Sequence, residues 1–232
     1  NGVPETTGQP LNVYEQTQNR LEKVFSSFDN IYVSFSGGKD SGVLLQLCIE
    51  YIRKFCPGRR IGVFHLDYEV QYGETIRYVD EVLASNSDVL DVYRICVPFK
   101  VPTCTSMFQK YWRPWEEEKQ DCWVREMPAG AYTYRDFPFF SRRMWDYDFQ
   151  RSFGRWLHRL KKAKRTCCLV GIRTQESLNR WRTLHLEKAR CFKRTKWIKS
   201  WDTSIYNAYP IYDWLTTDVW TANGKFHWPY NH

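Results

Sequence analysis

The sequence predicts an α/β fold: a parallel sheet with helices on both faces and an inserted aromatic lobe, mostly irregular or helical. Three observations predict it. Short β-rich runs alternate with segments of helical period along the N-terminal half. The first β-rich run passes through two glycines straight into a helix. The alternation then breaks over about 100–165, an insert rich in tryptophan and tyrosine, and a further strand follows it.

Residues 12–28 place Val13, Tyr14, Leu21, Val24, Phe25 and Phe28 close to helical spacing, and Asn12 with Glu15 has the form of a capping box. Residues 1–29 therefore read as an N-terminal helix laid against the core. "NIYVSFS" (30–36) is the first strand. Val43, Leu44, Leu47, Cys48, Tyr51, Ile52 and Phe55 then form one helical face, which Pro57-Gly58 ends. "RIGVFHLD" (60–67) is a second buried strand, 74–85 a second helix with Ile76, Val79, Val82 and Leu83 inward, and 88–99 a third strand. After the lobe, 142–164 regains helical spacing through Trp145, Phe149, Phe153, Trp156 and Leu160. "TCCLVGI" (166–172) reads as a central strand, and a short helix begins at Thr216 or Thr217. Residues 30–222 make the main domain. The chain starts at Asn1 and stops at "FHWPYNH", so 223–232 read as the start of a further segment of a longer protein.

With 232 residues the chain can bury one substantial core. It has no run near the roughly 18 apolar residues of a membrane span, and no basic-then-apolar leader, so no membrane association is expected. Its eight cysteines include no CxxC pair, a pattern that suits reduced thiols in the cytoplasm. Charge is uneven. Residues 155–199 hold 15 Lys or Arg against Glu176 and Glu187, a local balance of +13 in a chain whose total is +8. Such a surplus suits an anionic partner, either nucleotide phosphates or nucleic acid, although a solvated basic surface would look the same.

The stretch "SFSGGKDS" (34–41) joins the first strand to its helix. A Gly-Gly turn there exposes backbone N–H groups at the positive end of a helix, which makes an anion site. Ser36 and Ser41 add hydroxyls and Lys39 adds charge. Asp40 stands where a P-loop has Ser or Thr. It can hold Mg²⁺ between itself and phosphates, or simply complement the helix dipole.

That loop resembles the pyrophosphate loop of the N-type ATP pyrophosphatase (PP-loop) superfamily. More narrowly, the chain is similar to the phosphoadenosine-phosphosulfate (PAPS) reductase family. "FHLDYEVQYGET" (64–75) is similar to its D-T-G-x-x-x-x-E-T segment through Asp67, Glu74 and Thr75, with Tyr68 and Glu69 in place of Thr-Gly. "VGIRTQESLNRW" (170–181) is similar to G-x-R-x-x-E-S-x-x-R through Gly171, Arg173, Glu176, Ser177 and Arg180. "YPIYDWLTTDVW" (209–220) resembles the Pro-Ile-x-x-Trp segment that follows. "WVREMPAGAYTY" further resembles a branch that includes the immunoglobulin-binding regulators of enteric bacteria, whose partner is a ParB-like protein.

The resemblance implies a Rossmann-like, adenine-nucleotide-hydrolase-like sheet and an enzyme that splits ATP between its α and β phosphates. It adenylylates an unknown acceptor and releases pyrophosphate, in a complex that can involve nucleic acid. Ser36, Gly37, Gly38, Lys39 and Ser41 would hold pyrophosphate, and Asp40, helped by Asp67, Mg²⁺. Arg173 and Arg180 would grip anionic oxygens from the opposite side beside Gly171. Lys39, Asp40 and Arg173 would be catalytic. Glu176 would orient an arginine or serve as a helix N-terminal carboxylate. Adenine would lie near His65 and Asp67, and the acceptor against Trp123, Arg125 and Glu126 unless these only pack the lobe. The reductase cysteine, in a Glu-Cys-Gly-x-His context, is absent. Cys167-Cys168 without a later CxxC supplies too few thiolates for an iron–sulfur cluster, so none is expected. Two alternatives stand: a sulfonucleotide enzyme that binds PAPS, and a non-catalytic nucleotide-sensing regulator that binds DNA or RNA through 155–199.

Overall fold

The computed structural model describes residues 12–103, 105–185 and 191–231. Cys104, Glu187, Lys188 and Arg190 lie outside them.

Helix α1 (Val13–Ser27) starts at the expected capping box: Asn12 Oδ1 accepts the Glu15 N–H at 3.0 Å and Glu15 accepts the Asn12 N–H at 3.1 Å. Strand β1 (Asn30–Ser34), helix α2 (Lys39–Phe55), β2 (Ile61–Leu66), α3 (Gly73–Ser85) and β3 (Leu90–Ile95) follow. The insert forms a two-stranded ribbon, β4 (Val101–Pro102) with β5 (Tyr111–Trp112), and two 3-10 turns at Glu117–Cys122 and Tyr134–Asp136. Helix α4 runs Asp146–Leu160, shorter at both ends than its sequence spacing suggested, and β6 spans Thr166–Val170. The remaining elements are α5 (Leu178–His185), β7 (Cys191–Phe192), β8 (Thr195–Asp202), β9 (Ile205–Ala208) and α6 (Thr216–Phe226).

The sheet order is β3-β2-β1-β6-β9-β8-β7. Pairings from β3 through β9 are parallel, while β8 and β7 continue antiparallel as an edge that the sequence reading did not anticipate. The chain moves from β1 through α2 and α3 towards β3, then returns over α4 to place β6 on the other side of β1. α2 and α3 pack on one face and α4 on the other, the arrangement that right-handed crossovers in both moves give.

Two cores result. On the first face Leu21, Val24, Leu44, Leu47, Ile52, Val79 and Trp214 pack α1, α2, α3 and the α6 region against the sheet. On the second, Phe149, Phe153 and Leu157 of α4 pack with Tyr32, Phe64 and the lobe residue Phe137. Burying each of these large side chains contributes about 1.5–3 kcal/mol. Gly154 lets α4 sit close: a Cβ there would lie 2.9 Å from the Trp201 ring and 3.0 Å from the Tyr32 hydroxyl. Among the described residues no helix is long and apolar enough to cross a membrane. The seven described cysteines are free thiols.

Candidate functional site

The ends of β1 and β6 are level, with Ser34 opposite Val170, while β2 pairs Phe64 with Ser34 and runs two residues further to Leu66. The connections from β1 run to β2 on one side while β6 flanks it on the other. At such a switch point a crevice opens outside the C-terminal strand ends, where open α/β sheets bind ligands.

On one side of this crevice lies the 36–41 loop. Gly37 has φ 79° and no room for a side chain, since a Cβ would stand 2.8 Å from Val79 and 3.0 Å from Thr75. Ser36 Oγ and Ser41 Oγ are 3.0 Å apart, the Gly38 N–H donates to Ser36 Oγ at 3.3 Å, and the Ser41 hydroxyl donates to Gly38 O at 2.9 Å. Gly38 caps α2 without a side-chain acceptor, so the first-turn N–H groups keep their positive field for a ligand. From the C-terminal segment, Asn231 Nδ2 donates to Gly37 O at 3.2 Å and to Thr75 Oγ1 at 2.8 Å.

On the other side lies the loop after β6. Gly171 passes so close to α2 that a Cβ would be 3.0 Å from Asp40 C and O and from Ser41 N. Arg173 is buried and pairs with Asp40, Nε to Oδ1 at 2.8 Å and Nη2 to Oδ2 at 3.4 Å. Its Nη1 donates to Thr216 Oγ1 at 3.2 Å and Trp214 O at 3.4 Å. Lys39 Nζ stands 3.4 Å from Asp40 Oδ2. Two residues expected to act separately on ligand or metal thus hold each other. Glu176 accepts the Arg173 backbone N–H at 3.1 Å and lies 3.9 Å from Arg180, so it shapes the loop without touching the Arg173 guanidinium.

Asp67 is 0 % exposed. Its carboxylate accepts from Arg94 Nε at 2.9 Å, from Arg125 Nη2, and from the Glu69 N–H at 3.0 Å. With Asp40 held by Arg173, the two carboxylates do not fit as a magnesium-binding pair. Among the described residues no three His, Cys, Asp or Glu side chains converge as a metal site. His65 is also sealed. Its Nδ1 bonds Phe35 O at 2.8 Å, and burial lowers its pKa, so the ring is neutral and donates that proton. Neither His65 nor Asp67 lines the crevice.

Glu69 stands in the left-handed region at φ 66°. Its carboxylate accepts the N–H groups of Trp115 at 2.7 Å and Val124 at 3.2 Å, while Arg125 Nε donates to Glu69 O at 3.1 Å. Trp115 Nε1 donates to Asp67 O at 2.8 Å and its ring meets Trp123 edge-on at 5.1 Å. Trp115, Val124 and Arg125 therefore fasten the lobe to the loop after β2, and Trp123 packs within the lobe, its Nε1 donating to Glu116 O at 3.1 Å. Glu126 has no such part.

The crevice holds a cavity of about 330 Å³ on the α4 face, bounded by Tyr32, Phe64, Val170, Tyr209, Arg151 and Arg180. That volume suits a small organic ligand. Cys168 also borders it, with its thiol pushed up to about 12 by burial, which makes it unreactive. The Trp201 indole N–H beside it has no acceptor among the described residues. Sequence reasoning placed Arg180 here but missed Tyr32, Phe64, Tyr209 and Arg151. The period-2 alternation of Tyr32 with Ser34 and Cys168 with Val170 was the available signal.

A sequence profile described as the phosphoadenosine phosphosulfate reductase domain matches residues 30–232. The chain belongs to that family. An uncharacterised Escherichia coli (strain K12) protein, YbdN, is 33 % identical over 219 residues, 91 % of this chain and 52 % of its own length. The chain thus spans about half of that relative. Among solved structures, the PAPS reductase of Candida auris aligns over 93 % of this chain and 81 % of its own, with 15 % identity and a TM-score of 0.46. An FMN adenylyltransferase of Candida glabrata aligns over 94 % and 58 %, with 13 % identity and a TM-score of 0.49. This PAPS reductase-family domain thus combines a mostly parallel sheet with a level crevice between β1 and β6, bordered by the glycine loop.

Proposed function

We propose that this domain binds ATP across the β1–β6 crevice and transfers its AMP moiety to an acceptor, releasing pyrophosphate. The Asp40–Arg173 pair carries this reading. A free carboxylate at the centre of an anion site would repel phosphate. Paired internally with Arg173, Asp40 is neutralised, and the first-turn N–H groups of α2 remain to meet phosphate together with Lys39. The pair also ties the loop after β6 to α2, fixing the two walls of the crevice.

In this reading the β and γ phosphates rest on 36–41, and the adenosine occupies the cavity among Tyr32, Phe64 and Tyr209, with Trp201 Nε1 as a spare donor. An acceptor oxygen or nitrogen forms a bond to the α-phosphorus while the α–β bridging P–O bond breaks. Pyrophosphate leaves with that electron pair, its charge met by Lys39 and the helix N-terminus, and the acceptor's proton passes to solvent. Magnesium enters as the counter-ion of the triphosphate, because Asp40 and Asp67 are engaged by arginines.

A second reading, PAPS as ligand, draws support from Arg151 and Arg180, which both border the cavity and would suit an additional anionic group on the sugar. Calorimetry with ATP, α,β-methylene ATP and PAPS separates the two. Tighter binding of the ATP analogue, with Mg²⁺-dependent AMP and pyrophosphate formation from ATP, supports adenylyl transfer. Binding of PAPS alone rejects it.

A further inference from the structure

Helix α5 turns its side chains the wrong way for a helix that only packs. Leu184 alone is buried, against Ile172 and Tyr209, with Trp197 of β8 alongside. Leu178, Trp181, Arg182 and His185, spaced i, i+3, i+4 and i+7, share a stripe beside it, where Leu178 is 62 % and Trp181 46 % exposed. His185 stacks flat on Trp181, centroids 4.2 Å apart at 9°, and its Nδ1 bonds Trp181 O at 2.9 Å. The indole is therefore braced by the imidazole and stays about half exposed.

The surroundings are cationic. The described residues from Leu178 to Trp201 include Arg180, Arg182, Lys193, Arg194, Lys196 and Lys199 and no Asp or Glu. Lys193, Arg194 and Lys196 are exposed at the β7–β8 turn, and β8 packs on α5 through Trp197. Elsewhere in the basic segment the charge is spent internally, Arg155 on Asp202 and Lys161 on Asp91. Exposed apolar area on α5 is limited to Leu178 and Trp181, too little for the roughly 800 Å² per partner of a stable protein interface. A braced aromatic ring amid a surplus of positive charge, of which Glu176 meets only Arg180, is what a flexible polyanion with flat bases recognises.

We infer that the outer face of α5 is a platform for single-stranded nucleic acid: a base stacks on the exposed part of Trp181, and phosphates meet Arg182 and the β7–β8 turn. Arg180, next to Trp181, also borders the nucleotide cavity, so a strand held here lies at its mouth. On the adenylyl-transfer reading, that strand is the acceptor; the platform itself does not depend on that reading.

Binding of short fluorescent single strands, DNA and RNA, by the whole chain tests this through anisotropy between about 50 and about 200 mM salt. The expected result is steeply salt-dependent binding of single strands in preference to duplex. Trp181→Ala should weaken it roughly tenfold and Trp181→Phe retain most of it. Arg182→Ala should lower the log–log salt slope by about one. Trp181 is half exposed, and a thermal melt of each variant confirms folding. No binding at low salt, or equal affinity in Trp181→Ala, overturns the platform. So does self-association that Trp181→Ala abolishes, which would assign the face to a second copy. Calorimetry with α,β-methylene ATP on the same samples keeps the two ideas apart: nucleotide bound without oligonucleotide rejects the platform alone, and the reverse rejects the nucleotide reading alone.

Discussion

Arg173 reaches from the loop after β6 to Asp40 in the first turn of α2, its Nε 2.8 Å from Oδ1, and both side chains are buried. Removing one partner strands the other charge in the interior. Asp40→Asn and Arg173→Met should each lower unfolding free energy by about 3–5 kcal/mol, and the double variant should recover much of that loss. Urea denaturation of the four proteins measures the coupling. Additive losses would show that the pair is not a unit.

Lys39 tests the phosphate side separately. Its side chain is about a third exposed, and its nearest charge is Asp40, which Arg173 already satisfies. Lys39→Ala should shift stability by no more than about 0.5 kcal/mol. It should weaken α,β-methylene ATP by roughly tenfold or more, the size of a lost charge-assisted contact. Calorimetry beside a thermal melt checks both halves, and unchanged affinity would remove Lys39 from the site.

Glu69 combines an unfavourable backbone with a favourable side chain. Replacing it by Ala keeps φ 66° and deletes the acceptor of the Trp115 and Val124 N–H groups; replacing it by Gly deletes the acceptor but relieves the backbone. Both variants should loosen the lobe, and Glu69→Gly should be the more stable by about 1 kcal/mol. Hydrogen exchange at Trp115 and Val124 reports the lobe, and denaturation reports the difference.

His65 sets a pH dependence. Its folded pKa is lowered by burial, so below the ordinary value of about 6.5 the unfolded chain binds a proton that the folded chain refuses. Stability from this group is complete at neutral pH and falls as pH drops below about 6.5, until the lowered folded value is reached. Denaturation midpoints at mildly acidic and neutral pH should differ less in His65→Asn, whose amide can keep the bond to Phe35 O. An identical pH slope in the variant would clear His65 of the effect.

The parallel half of the fold was legible because its signals are local. Asn12 and Glu15 cap α1 as spaced, and the glycines at 37–38 mark the junction of β1 with α2. The antiparallel β7–β8 edge was not, since its residues Thr195–Asp202 mix lysine and tryptophan without clean alternation and are ordered by pairing with β9. At the site, the residue types were readable and their partners were not. Nothing in spacing says that Arg173, 133 residues from Asp40, turns inward to meet it, or that Asp67 gathers Arg94 and Arg125. Tertiary contacts decide whether a carboxylate faces a ligand or a guanidinium.

The two kinds of charge at the glycine loop answer differently to ionic strength. Asp40 and Arg173 meet where ions do not penetrate, whereas Lys39 is partly in solvent and within reach of counter-ions. Raising salt should therefore empty the loop of phosphate long before it unclasps the crevice walls, leaving a vacant but intact receptor that refills on dilution.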